Sequence, residues 1–342
     1  MNVLLTSVGR RSYLVNYFKK ALDGKGQVVG SNMFGQAAGL AAADIAVVSP
    51  PANHPDYIPF LKAVCKEYDI GLLCSLHDLD VYILSQNQQW LADAGIAHTL
   101  PSAEWGRIAL DKYECTLLLD KHGIPVPKTT ICLDAALRSL RLGEVSFPLV
   151  IKARAGFGSL GLAKANNETE LISAYKSAAS LARASGSNQY LSLPDHEMVL
   201  IQQAITGREV CIGILNDFSG TYRAHFTCEV HSMRSGESDW ATSISGEPHL
   251  DMARKLSNLT RHKGVWGIDF LEDGQTFRAI DVNPRFTGDY PFHHLAGADI
   301  PRALVYWAAG KEAPAECYTS IVGVTGFKDL VPKTISCERV NQ

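Results

Sequence analysis

The chain has 342 residues, 20% charged and 46% hydrophobic, with a formal net charge of −3. That length allows two or three subdomains around a sizeable core, and the near-neutral charge gives no reason to expect nucleic acid or an anionic membrane as partner. The eight cysteines are scattered through apolar segments with no C-x-x-C pair, which reads as reduced, mostly buried thiols of a cytoplasmic protein, and no apolar run reaches membrane-spanning length.

Residues 1–104 read as alternating strands and helices. NVLLTSV follows Met1 directly and precedes Arg10 and Arg11, the order of a first strand and not of a signal peptide. SYLVNYFKKAL has the spacing of an amphipathic helix. QVVGSNM and IAVVSP read as strands, PDYIPFLKAVCKEY as a helix, IGLLCSL as a fourth strand, and VYILSQNQQWLADAG as one helix closed by Gly95. Such alternation predicts a parallel α/β sheet. The dinucleotide fingerprint G-x-G-x-x-G is absent after the first strand, so Gly9 reads as turn chemistry and a dinucleotide-dependent enzyme is disfavoured. His77, Asp78 and Asp80 follow the fourth strand, at the sheet edge where ligands tend to bind. Acidic residues opening a solvated helix explain them equally well.

KYECTLLLDKHG reads as a helix with a glycine stop, and IPVP marks a boundary near residue 125. Beyond it the texture is α+β. FPLVIKA, MVLIQQAIT, EVCIGILN, TYRAHFTCEV, VWGIDFL and TFRAIDVNP read as strands of an antiparallel sheet, with TELISAYKSAASLARA and HLDMARKLSNLTRH as helices. Residues 311–342 hold one more strand candidate, SIVGVTGF, and a tail expected to fray.

The chemistry concentrates in VWGIDFLEDGQTFRAIDVNPR, residues 265–285. Asp281, Asn283 and Arg285 stand at every other position, so a strand would put them on one side. A turn near Gly274–Gln275 would bring Asp269 opposite that side. Carboxylates do not gather in a half-buried sheet without a compensating cation, and an all-oxygen set suits a hard ion, Mg²⁺ first and Mn²⁺ as its substitute. Upstream, a β-rich run ends in Lys152, followed by Gly156, Gly158 and Gly161. A glycine loop beside a strand lysine can cover a triphosphate; a plain hairpin is the structural alternative, and Arg154 faces either phosphate or solvent. Gln202 and Gln203 end an apolar strand, and backbone groups from Gln203 to Ile205 can pair with both edges of an adenine. Glu209 can accept from two ribose hydroxyls. His293 and His294 are adjacent and face different ways, so a shared ion is not expected.

The order lysine, glycine loop, linker, glutamate and carboxylate hairpin resembles the ATP-grasp superfamily over residues 105–310. Within it, the chain is similar to the large chain of carbamoyl-phosphate synthase and its stand-alone relatives. Residues 1–104 resemble the αβ domain that precedes the grasp. The resemblance implies an N-terminal parallel-sheet domain, then two α+β subdomains holding ATP between them, with residues 126–206 as the lid and 311–342 as a C-terminal strand and tail. It implies Lys112 and Lys152 on the phosphates, Gly156, Gly158 and Gly161 as the mobile lid loop, Gln202, Gln203 and Ile205 at the adenine, and Glu209 at the ribose. It also implies Asp269, Asp281 and Asn283 as magnesium ligands and Arg285 on the transferring phosphoryl group. HLAGADIPRAL resembles the closing helix.

Three departures stand out. The family more often has Glu at the positions of Asp269 and Asp281, and Gln202 replaces a frequent Glu. EVHSMRSGESDWATS stands where relatives keep a substrate-side loop, with His231 and Arg234 as candidate γ-phosphate or acceptor contacts against a plain turn. The implied activity is an ATP-dependent carboxylate–amine ligase: a small-molecule carboxylate becomes an acyl phosphate, an amine attacks it, and ADP and phosphate leave. The alternatives are phosphoryl transfer to a small acceptor such as carbamate, or a non-catalytic ATP- or amino-acid-sensing module. Relatives are often dimers, so the resemblance extends to a homodimer.

Overall fold

The computed structural model describes residues 1–274 and 276–334. The first unit runs β1 (Asn2–Thr6), α1 (Ser12–Leu22), β2 (Val28–Asn32), α2 (Ala38–Ala42), β3 (Ile45–Val48), α3 (Tyr57–Glu67), β4 (Ile70–Ser75), α4 (Asp78–Gln86), α5 (Gln89–Asp93) and β5 (Ala97–His98). Its five strands are parallel in the order β3-β2-β1-β4-β5, with Val3 beside Val28 and Leu4 beside Leu73. Both faces are covered, so β1 and β4 are nearly continuous apolar runs. The strand order reverses at β1. The loops after β1 and β4 therefore meet at the carboxyl edge, where a crevice opens. Buried Asp80 braces this point, accepting from the hydroxyls of Thr6, of Tyr57, and of Ser75 at 3.0 Å.

Two antiparallel sheets follow. α6 (Ala103–Leu110) and α7 (Lys112–Lys121) lead to a four-stranded sheet, β6-β9-β7-β8, made of β6 (Thr129–Thr130), β7 (Leu149–Ala153), β8 (Ala163–Ala165) and β9 (Val199–Gln203). α8 (Leu133–Arg141) and α9 (Glu168–Ser185) cover its outer face through Ala136, Leu171 and Ala178. β10 (Arg208–Asn216), β11 (Tyr222–Arg234), β12 (Glu237–Ile244), β13 (Gly264–Glu272) and β14 (Phe277–Asn283) build the larger sheet. Its order is β14-β13-β10-β11-β12-β15, closed by the short β15 (Thr325–Phe327). One face packs Val210, Ile212, Trp266, Ile268 and Phe270 against α6, α7 and α10 (Leu250–Thr260). α11 (Tyr290–Leu295) lies against the other face and α12 (Ile300–Ala308) against α1. No helix among the described residues is long and apolar enough to cross a membrane.

Several expectations are corrected by local physics. The single helix over 81–95 is two, α4 and α5, because the chain leaves helical geometry at Asn87. Of the two readings of 229–243, the turn holds: the segment is a β-hairpin whose Ser235 and Gly236 both have positive φ, the two-residue turn that matches strand twist, and its tip borders the cavity. The closing helix is interrupted at Gly297, φ +117°, before the Asp299 side chain caps α12. Only 325–327 of SIVGVTGF is strand. Gln275 of the expected turn, Cys337 and residues 335–342 of the tail lie outside the described residues. The other seven cysteines are free, and all but Cys132 are buried.

The first unit is clasped to the large sheet by charge. Arg11 meets Glu237 at 3.2 Å and donates to the carbonyls of Leu76 and Phe286, while Lys328 meets Glu237 at 3.3 Å. Burial opposes the Glu237 charge, but Arg11 and Lys328 outweigh it and bring the carboxyl down to about 2. A depressed carboxylate contributes stability that is complete above the unfolded value, near 4.5, and is lost as pH falls through about 2. Glu237→Gln is therefore expected to cost roughly 1–3 kcal/mol at pH 7. It should also flatten the acid limb of the stability curve below about pH 4.5, as read by urea unfolding across pH. An unchanged acid limb would remove Glu237 from the clasp.

Candidate active site

A cavity of about 540 Å³ lies where the two antiparallel sheets and the carboxyl edge of the parallel sheet meet. Its walls carry Lys112, Lys152, Gly156, Gly158, Gln202, Gln203, Ile205, Glu209, Asp269, Asp281, Asn283 and Arg285. These residues span 174 positions of sequence, and the two antiparallel sheets with α7 bring them together.

A β-bulge sets the carboxylate wall. Asp269 pairs with Asp281 but Phe270 pairs with Ala279, leaving Ile280 as the extra residue. Ala279 is in the core, so strict alternation would have pointed Asp281 into the core too. The bulge shifts the phase, sending Val282 to the core while Asp281 and Asn283 line the cavity. Asn283 Nδ2 donates to Asp269 Oδ2 at 3.3 Å. Arg285 lies beyond the strand end, in a bend closed by its own N–H on Asn283 O at 2.8 Å. Its guanidinium reaches Asn283 Oδ1 at 3.1 Å and Asp78 Oδ2 at 2.7 Å.

Two lysines face this wall. Lys112 opens α7 and forms an ion pair with Asp281. Lys152, from β7, donates to the carbonyl of bulged Ile280 at 2.9 Å. Burial pushes the Lys152 ammonium down to about 8; Asp281 holds it up, Lys112 drives it further down. Asp269 is pushed well above the usual carboxylate range by burial, then by Asp289, Glu209 and Asp281. Glu209 is raised too, by burial, Asp289 and Asp281. Asp269 and Glu209 thus both resist ionisation, the mark of a place short of positive charge, and the oxygen donors of Asp269, Asp281 and Asn283 suit Mg²⁺ or Mn²⁺.

The glycine loop forms the roof. Gly158 has φ +62° with open space about it, and Gly236 of the β11–β12 turn approaches so closely that a Cβ there would lie 3.0 Å from Gly158 Cα. The Phe157 ring sits edge-on to His77 at 4.5 Å, docking the roof on the first unit. Gly161 is the exception: it does not line the cavity, and a Cβ there would meet Ala178 of α9 at 3.1 Å, so its absent side chain serves helix packing. Truncating Phe157 to Ala removes the docking contact. It is expected to loosen the roof, read as faster amide hydrogen exchange across residues 155–161. Unchanged exchange would show that the contact does not hold the roof.

The remaining candidates keep protein partners or lie outside the cavity. The Gln203 N–H already bonds Lys128 O at 2.9 Å and the Ala204 N–H bonds Pro148 O at 3.2 Å, so neither is open to a ligand. Gln202 points its amide at Thr129 Oγ1, 3.0 Å away. Arg154 faces neither phosphate nor solvent: it is buried on Asp111 at 2.8 Å and Glu197 at 2.8 Å, tying β7 to the start of α7. His231 and Arg234 do not line the cavity; Arg234 pairs with Asp239 and His231 bonds Thr242 Oγ1 at 2.9 Å. His293 and His294 diverge, one to Asp289 at 2.9 Å and the other stacked 3.7 Å from Tyr17. Sequence reading missed Arg11, Glu237 and Asp289 as cavity residues and left Asp78 evenly weighed. The strand-order reversal beside the Arg10–Arg11 and His77–Asp78 loops is the signal for two of them; Glu237 lies in the 229–243 segment read as substrate-side, and nothing local marks Asp289.

An ATP-grasp domain model matches residues 109–289, more than half of the chain, and a PylC-like N-terminal domain model matches residues 3–99. The chain belongs to the ATP-grasp family. This member of the ATP-grasp family is 25% identical over 199 residues to a D-alanine–D-alanine ligase of Francisella philomiragia, covering 55% of this chain and 61% of that one. It is 25% identical over 211 residues to the carbamoyl phosphate synthase arginine-specific large chain of Bacillus subtilis, covering 59% of this chain and 19% of that one. A biotin carboxylase from Campylobacter jejuni, solved in complex with an ATP species, shares its fold with a TM-score of 0.70 at 19% identity, over 93% of this chain and 73% of that one. The chain spans less than two thirds of the length of these curated relatives. The parallel-sheet unit followed by an ATP-grasp fold is as the sequence implied.

Proposed function

We propose that this ATP-grasp protein is an ATP-dependent ligase that converts a small-molecule carboxylate into an acyl phosphate and couples it to an amine, releasing ADP and phosphate. The observation that carries this reading is the convergence of Lys112, Lys152 and Arg285 with Asp269, Asp281 and Asn283 around one cavity under a glycine roof. In this reading residues 126–206 form the lid over a domain of residues 105–310, behind a 1–104 αβ domain and ahead of a 311–342 tail, and the protein works in the cytoplasm.

The apolar residues Val150, Ile205, Leu271 and Ile280 of the cavity lining suit the faces of a purine. The Gln203 carbonyl and the Ile205 amide meet its two edges, and Glu209 accepts from the ribose. Lys152 reaches the α- and β-phosphates and Lys112 the phosphates nearer Asp281. Magnesium, held by Asp269, Asp281 and Asn283, would supply charge compensation to the triphosphate. A carboxylate is a poor electrophile because its leaving group is oxide. Phosphorylation replaces that leaving group with phosphate, and the developing charge is spread over Lys112, Lys152 and Arg285. Asp78 holds the Arg285 guanidinium in place at 2.7 Å, so its orientation precedes substrate binding. The amine then attacks the acyl carbon and phosphate departs, with no side-chain nucleophile required. The roof over the cavity excludes water from the acyl phosphate.

A matrix of amino acids and small carboxylates, assayed pairwise for ADP release, tests this. A ligase shows release stimulated by one carboxylate together with one amine. Full release with a single acceptor such as carbamate would mark simple phosphoryl transfer, and nucleotide binding without release under any pair would mark a sensing module.

A further inference from the structure

Behind the carboxylate wall lies a second group of donors that the proposed chemistry does not use. Cys211 on β10 and Cys228 on β11 stand directly opposite each other on the face covered by α11, and their thiols are hydrogen-bonded. His293 Nε2 of α11 lies 3.9 Å from Cys228 Sγ and 2.9 Å from Asp289 Oδ2. The donor atoms of Cys228, Asp289 and His293 lie within 4.8 Å of one another, as do those of Cys211, Asp269 and Asp289. Cys211, Cys228, Asp289 and His293 are each at most 3% exposed.

We propose that Cys211, Cys228, Asp289 and His293 form a binding site for a thiophilic divalent cation, Zn²⁺ by donor chemistry, distinct from the oxygen-lined magnesium wall. Two thiols, an imidazole and one carboxylate are the donor set of a tetrahedral zinc site. Zn–S bonds of about 2.3 Å and Zn–N bonds of about 2.0–2.1 Å put tetrahedral donors roughly 3.3–3.8 Å apart. His293 stands at 2.9 and 3.9 Å from Asp289 and Cys228, bracketing that range; Cys211 shares a triad with Asp289 but not with His293, and completes the shell by rotating its side chain toward that imidazole. Magnesium does not compete here, because thiols and imidazole are poor ligands for a hard ion. Asp289 lines the cavity, which gives the ion an entry path from the active-site side. Four protein donors close the shell, the pattern of a structural rather than a catalytic zinc. The ion would tie β10 and β11 to the segment after Arg285, and so brace the turn that presents this arginine.

The site is linked to the magnesium wall through one proton. Cys211 Sγ donates to Asp269 Oδ1 at 2.9 Å. Metal binding takes both thiols as thiolates and His293 as a neutral imidazole, so the protons these groups carry leave to solvent.

Cobalt titration of the reduced, metal-free full chain tests this. One equivalent of Co²⁺ is expected to give the strong visible bands of tetrahedral thiolate ligation, to protect two thiols from Ellman's reagent, and to be displaced by Zn²⁺. Cys228→Ser and His293→Ala should each weaken the cobalt site by at least about 100-fold, beyond the 10–100-fold typical of outer-sphere partners. Lys152→Met should keep the bands while losing ATP turnover, so failure of the metal site and failure of the ligase reading are told apart. A weak octahedral spectrum, bands that survive Cys228→Ser, or loss of two thiols to a Cys211–Cys228 disulfide without metal would each overturn the proposal.

Discussion

Lys152→Met is expected to abolish ATP turnover while raising the melting temperature of the nucleotide-free protein at pH 7. The two effects share one cause. Burial pushes Lys152 down to about 8 from an ordinary 10.5, so the fold is penalised for holding it protonated. That penalty is complete below pH 8, fades as pH rises from about 8 to 10.5, and is absent above. Removing the amine relieves a destabilisation of at most a few kcal/mol, and the advantage of the variant should shrink over the same pH window. With magnesium and ATP present the order should reverse, because only the wild type gains its full binding free energy. Loss of one preorganised charge from phosphoryl transfer costs about 10²–10³-fold in kcat. Calorimetry across pH, with and without nucleotide, and ADP release check both halves. Normal turnover in the variant would sink the assignment of Lys152 to the phosphates; a lower melting temperature without nucleotide would sink the charge argument.

The elements that were legible in the sequence are those whose apolar period carries the signal. α1, α3, β4, α9 and β13 fall within a residue or two of their expected limits. Short elements such as α2, β5 and β6 carry too few residues for a period to show. The cavity was legible as an order of residue types, lysine before glycine loop before carboxylates, because each type has a chemistry that burial alone does not explain. Geometry within it was less so. Alternation placed Asp281 and Asn283 on one side, but that side is the cavity and not the core only because a bulge at Ile280 resets the phase, and a bulge leaves no mark in the composition of the strand. Gly161 shows the converse: it has the spacing of a phosphate loop and the work of a packing contact with Ala178. Arg154 was unreadable because its partners, Asp111 and Glu197, are 43 residues away on either side.

Asp281→Asn is the second large effect, and it separates the metal role of this wall from its role in pairing lysines. Lys112 is raised above its ordinary value despite burial, with Asp281 as the first charge holding it there. The same carboxylate is the largest charge supporting the Lys152 ammonium. Neutralising it leaves two buried ammonium groups facing each other, at a cost of roughly 3 kcal/mol in nucleotide-free stability. The Lys152 amine should then titrate below 8, read by ¹³C-reductive methylation and NMR. Asp269 responds in the opposite direction, since Asp281 is one of the charges that raise it, so it should ionise more readily and keep partial hold of a cation. The magnesium concentration for half-maximal turnover should therefore rise, roughly tenfold or more for about 1.4 kcal/mol of lost binding, without becoming infinite. An unchanged magnesium titration, alongside a shifted Lys152, would show that Asp281 serves the lysines alone and that the hairpin's cation rests on Asp269 and Asn283.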